Sequence, residues 1–181
     1  MYRTVGVIEL KSIAKGIEAC DAALKSAGVK LISAHPSCPG KYEIILTGNI
    51  ADVTAAIEHV KSHFDGKVLD ASLMGRIDEQ VITALFGSQN VHKEGSLGVL
   101  ETFSASTAIK AADIAVKTSK VAIYDLRVSR GMGGKGVVLI TGDVADVTAA
   151  IEAGADYAKA GGLYHSSSII PAPHPELWEQ M

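Results

Sequence analysis

Chemistry in this 181-residue chain would have to come from two cysteines, six histidines, a few carboxylates and one glycine-rich turn. Cys38 stands between Ser37 and Pro39, in a stretch that runs on to Gly40-Lys41. A loop thiol of this kind can serve as a soft metal ligand or a nucleophile once deprotonated. Cys20 falls among apolar residues spaced for a helix, where a cysteine behaves as a small hydrophobe. His59 and His63 are four apart, so both imidazoles would share one helix face and could clamp a metal. His35 shares the Cys38 loop and could support a ligand there, whereas His92, His165 and His174 have no evident partner in sequence. Gly131-Met132-Gly133-Gly134-Lys135 offers successive backbone N–H groups and a lysine, as an anion nest does. Glu9 and Glu101 could form a carboxylate pair for acid–base work. No P-loop, GxSxG or CxxC pattern is present. With no nucleophile and general base to pair, the chain is not expected to be an enzyme.

The elements that must position these residues occur twice. Thr47–Glu58 reads TGNIADVTAAIE and returns at Thr141–Glu152 as TGDVADVTAAIE, ten of twelve positions being identical at an offset of 94. Gly6-Val7-Ile8-Glu9 returns as Gly98-Val99-Leu100-Glu101 at an offset of 92, as do Ser12, Asp21 and Lys25 at Ser104, Asp113 and Lys117. Self-similarity at a fixed spacing marks a duplicated structural unit, here of about 90 residues. Thr4–Glu9 and Leu97–Thr102 read as strands. Ser12 and Ser104 are placed to cap helices with stripes at Ile13, Ile17, Cys20 and Leu24, and at Ala105, Ile109, Ala112 and Val116. Gly28 would end the first of these helices. Two further apolar runs, Val29–Ser33 and Tyr42–Thr47, flank a Pro- and Gly-bearing joint. Asn49 and Asp143 would cap a second helix, whose stripe in the first copy is Val53, Ile57, Val60 and Phe64. Val68–Leu73 and Leu163–Ile170 are the last strands. The order β-α-β-β-α-β predicts an α/β fold, a tandem duplication of a ferredoxin-like unit. The expected boundaries are 1–88 and 97–181, joined by a polar linker at 89–96.

The duplication weighs the candidates against one another. His59 and His63 match Ala153 and Tyr157, so a solvated helix face is the better reading. The glycine-rich segment occupies the place of Cys38-Pro39-Gly40-Lys41 between two strands and opens no helix, so a tight turn is the better reading. Glu9 and Glu101 are copies of one position, which favours a structural hydrogen bond. Cys20 matches Ala112, as a small buried residue would. Cys38 matches no cysteine, and on these grounds alone a functional and an accidental thiol are equally well supported. A net charge of −3 with mixed signs argues against a nucleic-acid partner, which usually needs a basic face. No run of about 18 apolar residues supports a membrane span, and the N-terminus lacks a secretory core. A cytoplasmic protein is expected.

Asp21-Ala22-Ala23-Leu24-Lys25-Ser26-Ala27, the repeat itself, and the tail Ile170-Pro171-Ala172-Pro173-His174 together resemble the bacterial microcompartment (BMC) shell proteins, of the non-permuted, tandem-domain trimer type. The resemblance covers both copies. It implies a homotrimer acting as a pseudohexagonal tile in a microcompartment shell. Six inter-strand loops would surround a central pore, here supplied by Ser37, Cys38, Pro39, Gly40 and Lys41 and by Met132, Gly133 and Gly134. Edge contacts to other BMC shell proteins would come from Lys25, Lys117 and Arg76, while Ala172 replaces the arginine usual in the second copy.

Members of this type with a loop cysteine imply a [4Fe–4S] cluster, one per trimer, held by Cys38. A three-fold axis would present three thiolates to three irons of a cubane and leave the fourth iron on the axis. Lys41 is a candidate to balance that anion, and otherwise holds the hairpin. The implied role is electron or cluster transfer across the shell, with a lumenal or cytosolic redox partner. The alternatives are a cluster-free metabolite pore and a small-effector-binding module.

Overall fold

A computed structural model describes residues 3–87, 94–128 and 131–181. His92 and most of the expected linker at 89–96 lie outside the described residues. The first copy runs β1 (Thr4–Leu10), α1 (Ile13–Ser26), β2 (Lys30–Ser37), β3 (Lys41–Gly48), α2 (Ile50–His63) and β4 (Val68–Met74). A short helix α3 (Glu79–Leu85) follows. The second copy repeats the pattern as β5 (Ser96–Thr102), α4 (Ala105–Thr118), β6 (Val121–Val128), β7 (Gly136–Gly142), α5 (Val144–Ala160) and β8 (Tyr164–Ile170), then a terminal helix α6 (Pro175–Gln180).

Each copy forms its own antiparallel sheet, ordered β2-β3-β1-β4 and β6-β7-β5-β8. This is the ferredoxin-like order expected from the sequence. The duplication extends to register: Gly6 pairs with Leu73 and Leu46, and Gly98 with Ile169 and Ile140. Even the irregularities recur, between Glu9 and Leu10 as between Glu101 and Thr102, and between Leu31 and Ser33 as between Ile123 and Asp125. Bulges are specified features of a strand pair, so their recurrence marks common descent of the two units.

β1 is buried along its whole length, as a central strand must be when both sheet faces are covered. In the first copy Ile8, Leu10, Ile44 and Leu46 of the sheet meet Ala19, Cys20 and Ala23 of α1, Val53, Ile57 and Val60 of α2, and Phe64 at the end of α2. The α2 stripe is therefore the one its spacing predicted. The α1 stripe is not. Its buried residues are Gly16, Ala19, Cys20 and Ala23, while Ile13, Ile17 and Leu24 are exposed. The small residues let α1 lie close on the sheet, and that turns the large ones outward. In α4 the matching residues Ala105, Ile109 and Ala112 are buried as expected.

Ser12, Ser104 and Asn49 cap their helices with side-chain oxygens, but Asp143 makes no such bond. α1 ends at Ser26 with Ala27 extended, so Gly28 does not terminate it. Gly28 is instead the point where α2's first turn comes close: a Cβ there would stand 3.0 Å from Asp52 Oδ2. Two short helices, α3 and α6, were not anticipated. Their signals were the N-caps Asp78 and His174 and the proline at the first position of α6.

The chain divides into two compact units, Met1–Ile77 with Ser129–Gly134, and Asp78–Val128 with Lys135–Met181. α3 thus packs in the second unit, on α4 and β6. Among the described residues no helix is long and apolar enough to cross a membrane.

Candidate functional site

Cys38 lies on the turn between β2 and β3. The turn is closed by the Gly40 N–H donating to the Ser37 carbonyl at 3.0 Å, and the Cys38–Pro39 peptide is cis. Gly40 takes φ 89°, a conformation glycine adopts without a Cβ clash. Ser37 is buried, Cys38 is half-buried and Pro39 and Gly40 are exposed, so the thiol sits near the tip of a hairpin with solvent access. The two cysteines differ as expected. Burial, and then the Asp21 carboxylate, push the Cys20 thiol above its ordinary value, which keeps it protonated and unreactive.

The equivalent turn of the second copy is the glycine-rich segment. It joins β6 to β7 and opens no helix, with Gly131, Gly133 and Gly134 all at positive φ. Its residues 131–134 group with the first unit, and a Cβ on Gly134 would stand 2.8 Å from the Cys38 carbonyl oxygen. Gly134 therefore permits a close approach to the backbone of the cysteine turn. The structure brings these two turns together, where the sequence only placed them at equivalent positions.

Lys41 does not point its charge at the thiol. Its Nζ donates to Glu9 Oε2 at 2.9 Å, across from β3 to β1. Lys135 repeats this on Glu101 at 3.0 Å. Glu9 and Glu101 are therefore matched anchors for the lysine that ends each turn, the structural reading favoured for them. Sequence reasoning missed the partner, although both residues recur in the second copy, at offsets of 92 and 94, and that recurrence carried the signal. It also missed Glu43, which lies opposite both Glu9 and His35 in the sheet. His35 Nε2 is 3.7 Å from Glu43 Oε1, and both side chains are buried beneath the Cys38 turn. The second copy has Arg127 and Val137 at these places, so the buried pair belongs to the cysteine-bearing copy alone.

The remaining candidates are dispersed. The His59 and His63 rings stack at 4.0 Å on the exposed face of α2, with His63 Nδ1 2.9 Å from the His59 carbonyl. Among the described residues no group of three or more His, Cys, Asp or Glu is disposed to hold a metal ion. Lys25 pairs with Asp21, and Lys117 with Asp113, each at 2.6 Å. Arg76 is exposed beyond β4, in left-handed backbone at φ 56°. Ala172 is exposed at the corresponding place.

Residues 4–77 and 96–173 each match the BMC domain. The chain belongs to the BMC-domain family. It carries two BMC domains in tandem, each with its own four-stranded sheet in the unpermuted order read from the sequence. It is 39% identical along its full length to bacterial microcompartment shell protein PduT of Citrobacter freundii, spanning 98% of that protein. Carboxysome assembly protein CcmO of Synechococcus elongatus is 28% identical over 98% of this chain and 68% of its own. A solved microcompartment protein from Desulfitobacterium hafniense superposes with a TM-score of 0.94 at 38% identity, covering 99% of both chains. The BMC match spans both copies, so the resemblance seen in the helix motif and tail holds for the whole chain.

Proposed function

We propose that this chain is a structural tile of a microcompartment shell, a homotrimer whose central pore binds a [4Fe–4S] cluster through Cys38 of three subunits. The observation that carries this reading is the Cys38 thiol itself: solvent-accessible at a hairpin tip, unique to one copy, and seated on a turn held rigid by Ser37, Gly40 and the Lys41–Glu9 pair. The donor set fits on one condition. One chain offers a single thiolate, so the site is complete only where three copies meet on an axis. Three thiolates suit three irons of a cubane, and the fourth iron takes a ligand from elsewhere. When bound, such a cluster supplies one-electron transfer through the pore, to a lumenal or cytosolic redox partner.

The chain's own residues would shape that pore. Ser37, Pro39, Gly40 and Lys41 set the height of the thiol. Gly133 and Gly134 would supply small, backbone-rich walls from the second copy, and Met132 a flexible thioether side chain. Lys25, Lys117 and Arg76 would meet neighbouring shell proteins at tile edges. Residues 1–88 and 97–181 would form the two domains, with 89–96 as the linker.

Iron and acid-labile sulfide analysis of anaerobically purified protein tests this, with visible and electron paramagnetic resonance spectra. Wild type is expected to hold about four irons per three chains, and Cys38→Ser to lose them while keeping its mass in solution. A Cys38→Ser protein with full iron content would overturn the ligand assignment. An iron-free wild-type trimer would leave a metabolite pore, and an iron-free monomer the effector-binding module.

A further inference from the structure

His59 and His63 have the spacing of a helical metal chelate, and a solvated face was favoured because the second copy lacks them. The structure adds two observations that a solvated face does not call for. The rings do not part into water, since their centroids lie 4.0 Å apart at an interplanar angle of 28°. His63 Nδ1 is also 2.9 Å from the His59 carbonyl oxygen. A carbonyl only accepts, so Nδ1 carries the proton and the neutral ring keeps its lone pair on Nε2. Metal-bound histidines are held in this way, by an acceptor on the other ring nitrogen that fixes tautomer and ring plane. The Ser62 hydroxyl reinforces the arrangement, donating to the same carbonyl at 3.0 Å and lying 3.0 Å from the same nitrogen. The helix dipole alone explains one histidine in the last turn of α2, but not a second ring stacked on it from the turn before.

The pair lines a groove of about 450 Å³ between α1 and the end of α2. Glu18, Asp21 and Asp65 line it too, against Lys15 and Lys67. Lys15 binds Glu18 at 2.6 Å, Lys25 binds Asp21 at 2.6 Å, and Asp65 Oδ1 accepts the Gly66 N–H at 2.9 Å. Both ion pairs are exposed and give up little when broken, so these carboxylates can turn to an incoming cation. Two nitrogens on one tetrahedral ion, each at about 2.0–2.1 Å, stand about 3.3 Å apart. Rings already stacked at 4.0 Å reach that separation by a small pivot. The preformed donors are two imidazoles, so the ion keeps open positions for water or a groove carboxylate. Val60 stands where a helical zinc hydrolase motif carries its glutamate, so no general base accompanies the pair and the site binds without hydrolysing.

We propose that His59 and His63 chelate one divalent transition-metal ion of the zinc class per chain, on the first copy alone. Imidazole selects zinc, nickel and copper over magnesium and calcium, which need oxygen ligands. The chelate spans one helical turn, so the ion staples the end of α2 and stabilises the folded chain by linkage. The site is separate from the Cys38 turn and stands or falls without it.

Calorimetric titration of zinc chloride into Cys38→Ser protein tests the proposal, because that background removes the accessible thiol as a competing ligand. One ion per chain is expected to bind and to raise the unfolding temperature. Loss of even the outer partner of a metal-bound histidine costs about 10–100-fold in affinity, so His59→Ala and His63→Ala are each expected to weaken binding at least about tenfold. His63 is exposed and His59 half-buried, and alanine favours a helix, so both variants retain the fold, which circular dichroism checks. Nitrogen NMR of the rings is expected to place zinc on His63 Nε2 with Nδ1 still protonated. Binding unchanged in both variants puts the ion elsewhere and overturns the proposal. A magnesium response equal to that of zinc, or no zinc binding at millimolar ion, also overturns it.

Discussion

Gly16 of α1 lies directly over Tyr42 of β3, so closely that a Cβ on Gly16 would stand 2.2 Å from the Tyr42 Cβ. The second copy solves the same crossing with the sizes exchanged. Ala108 replaces the glycine, Gly136 replaces the tyrosine, and a Cβ on Gly136 would stand 2.3 Å from the Ala108 Cβ. Each helix needs one residue without a side chain at the crossing, on one partner or the other.

Gly16→Ala is therefore expected to destabilise the chain, although alanine favours a helix by about 1 kcal/mol. The clash is with a Cβ, which no rotamer change moves, and overpacking of this kind costs about 1–3 kcal/mol. Gly136→Ala should behave alike. Urea unfolding checks both: a lowered midpoint is expected, and an unchanged or raised one would show that the sheet yields freely.

The two lysine–glutamate anchors should differ in strength. The Glu9 side chain is 6% exposed and that of Glu101 32%. Removing a partner from the more buried carboxylate leaves a charge that water reaches poorly. Lys41→Ala is expected to cost about 2–3 kcal/mol, and Lys135→Ala less than about 1 kcal/mol. Equal losses in denaturant titrations would mean that water screens both.

Thiol labelling should separate the cysteines. In native protein one thiol per chain, Cys38, is expected to react with a small alkylating reagent, and Cys20 only on unfolding. Cys38→Ser should remove the native reaction. The raised Cys20 value also gives a pH effect with a fixed sign. The folded chain holds that proton more tightly than the unfolded chain, whose thiol value is about 9.0. Stability from this group is complete below that value and falls as pH rises from it to the folded value. The Cys20→Ala variant should show a shallower decline in that window.

The helix caps give a further contrast. Asn49 accepts the Asp52 N–H at 2.9 Å, whereas Asp143 makes no side-chain cap bond. Asn49→Ala is expected to cost about 1 kcal/mol. Asp143→Ala should cost only the weaker charge–dipole interaction, about 0.3–1 kcal/mol. Thermal unfolding of the two variants would reveal a reversed order.

The duplication, the strand and helix order, and the place of Cys38 between two strands were legible in the residues alone. Those follow from local pattern: repeated words, alternation along strands, and caps at helix starts. The residues also indicated that Cys20 is a packing residue, because alanine stands at the matching place in the second copy, although the other members of the stripe it was assigned to are exposed. Packing, not pattern, settles which face of α1 is covered. Ile13, Ile17 and Leu24 have the period of a buried stripe, but periodicity reports that a face is apolar and not what lies on it. The sheet takes the face of small residues, because Gly16, Ala19 and Ala23 allow the closer approach. The Lys41–Glu9 pair, the His35–Glu43 pair and the approach of Gly134 to Cys38 were equally hidden. Two of these join residues far apart in the chain, and His35 and Glu43, eight apart, meet only because the β2–β3 register sets them opposite; sheet register and turn geometry bring all of them within reach.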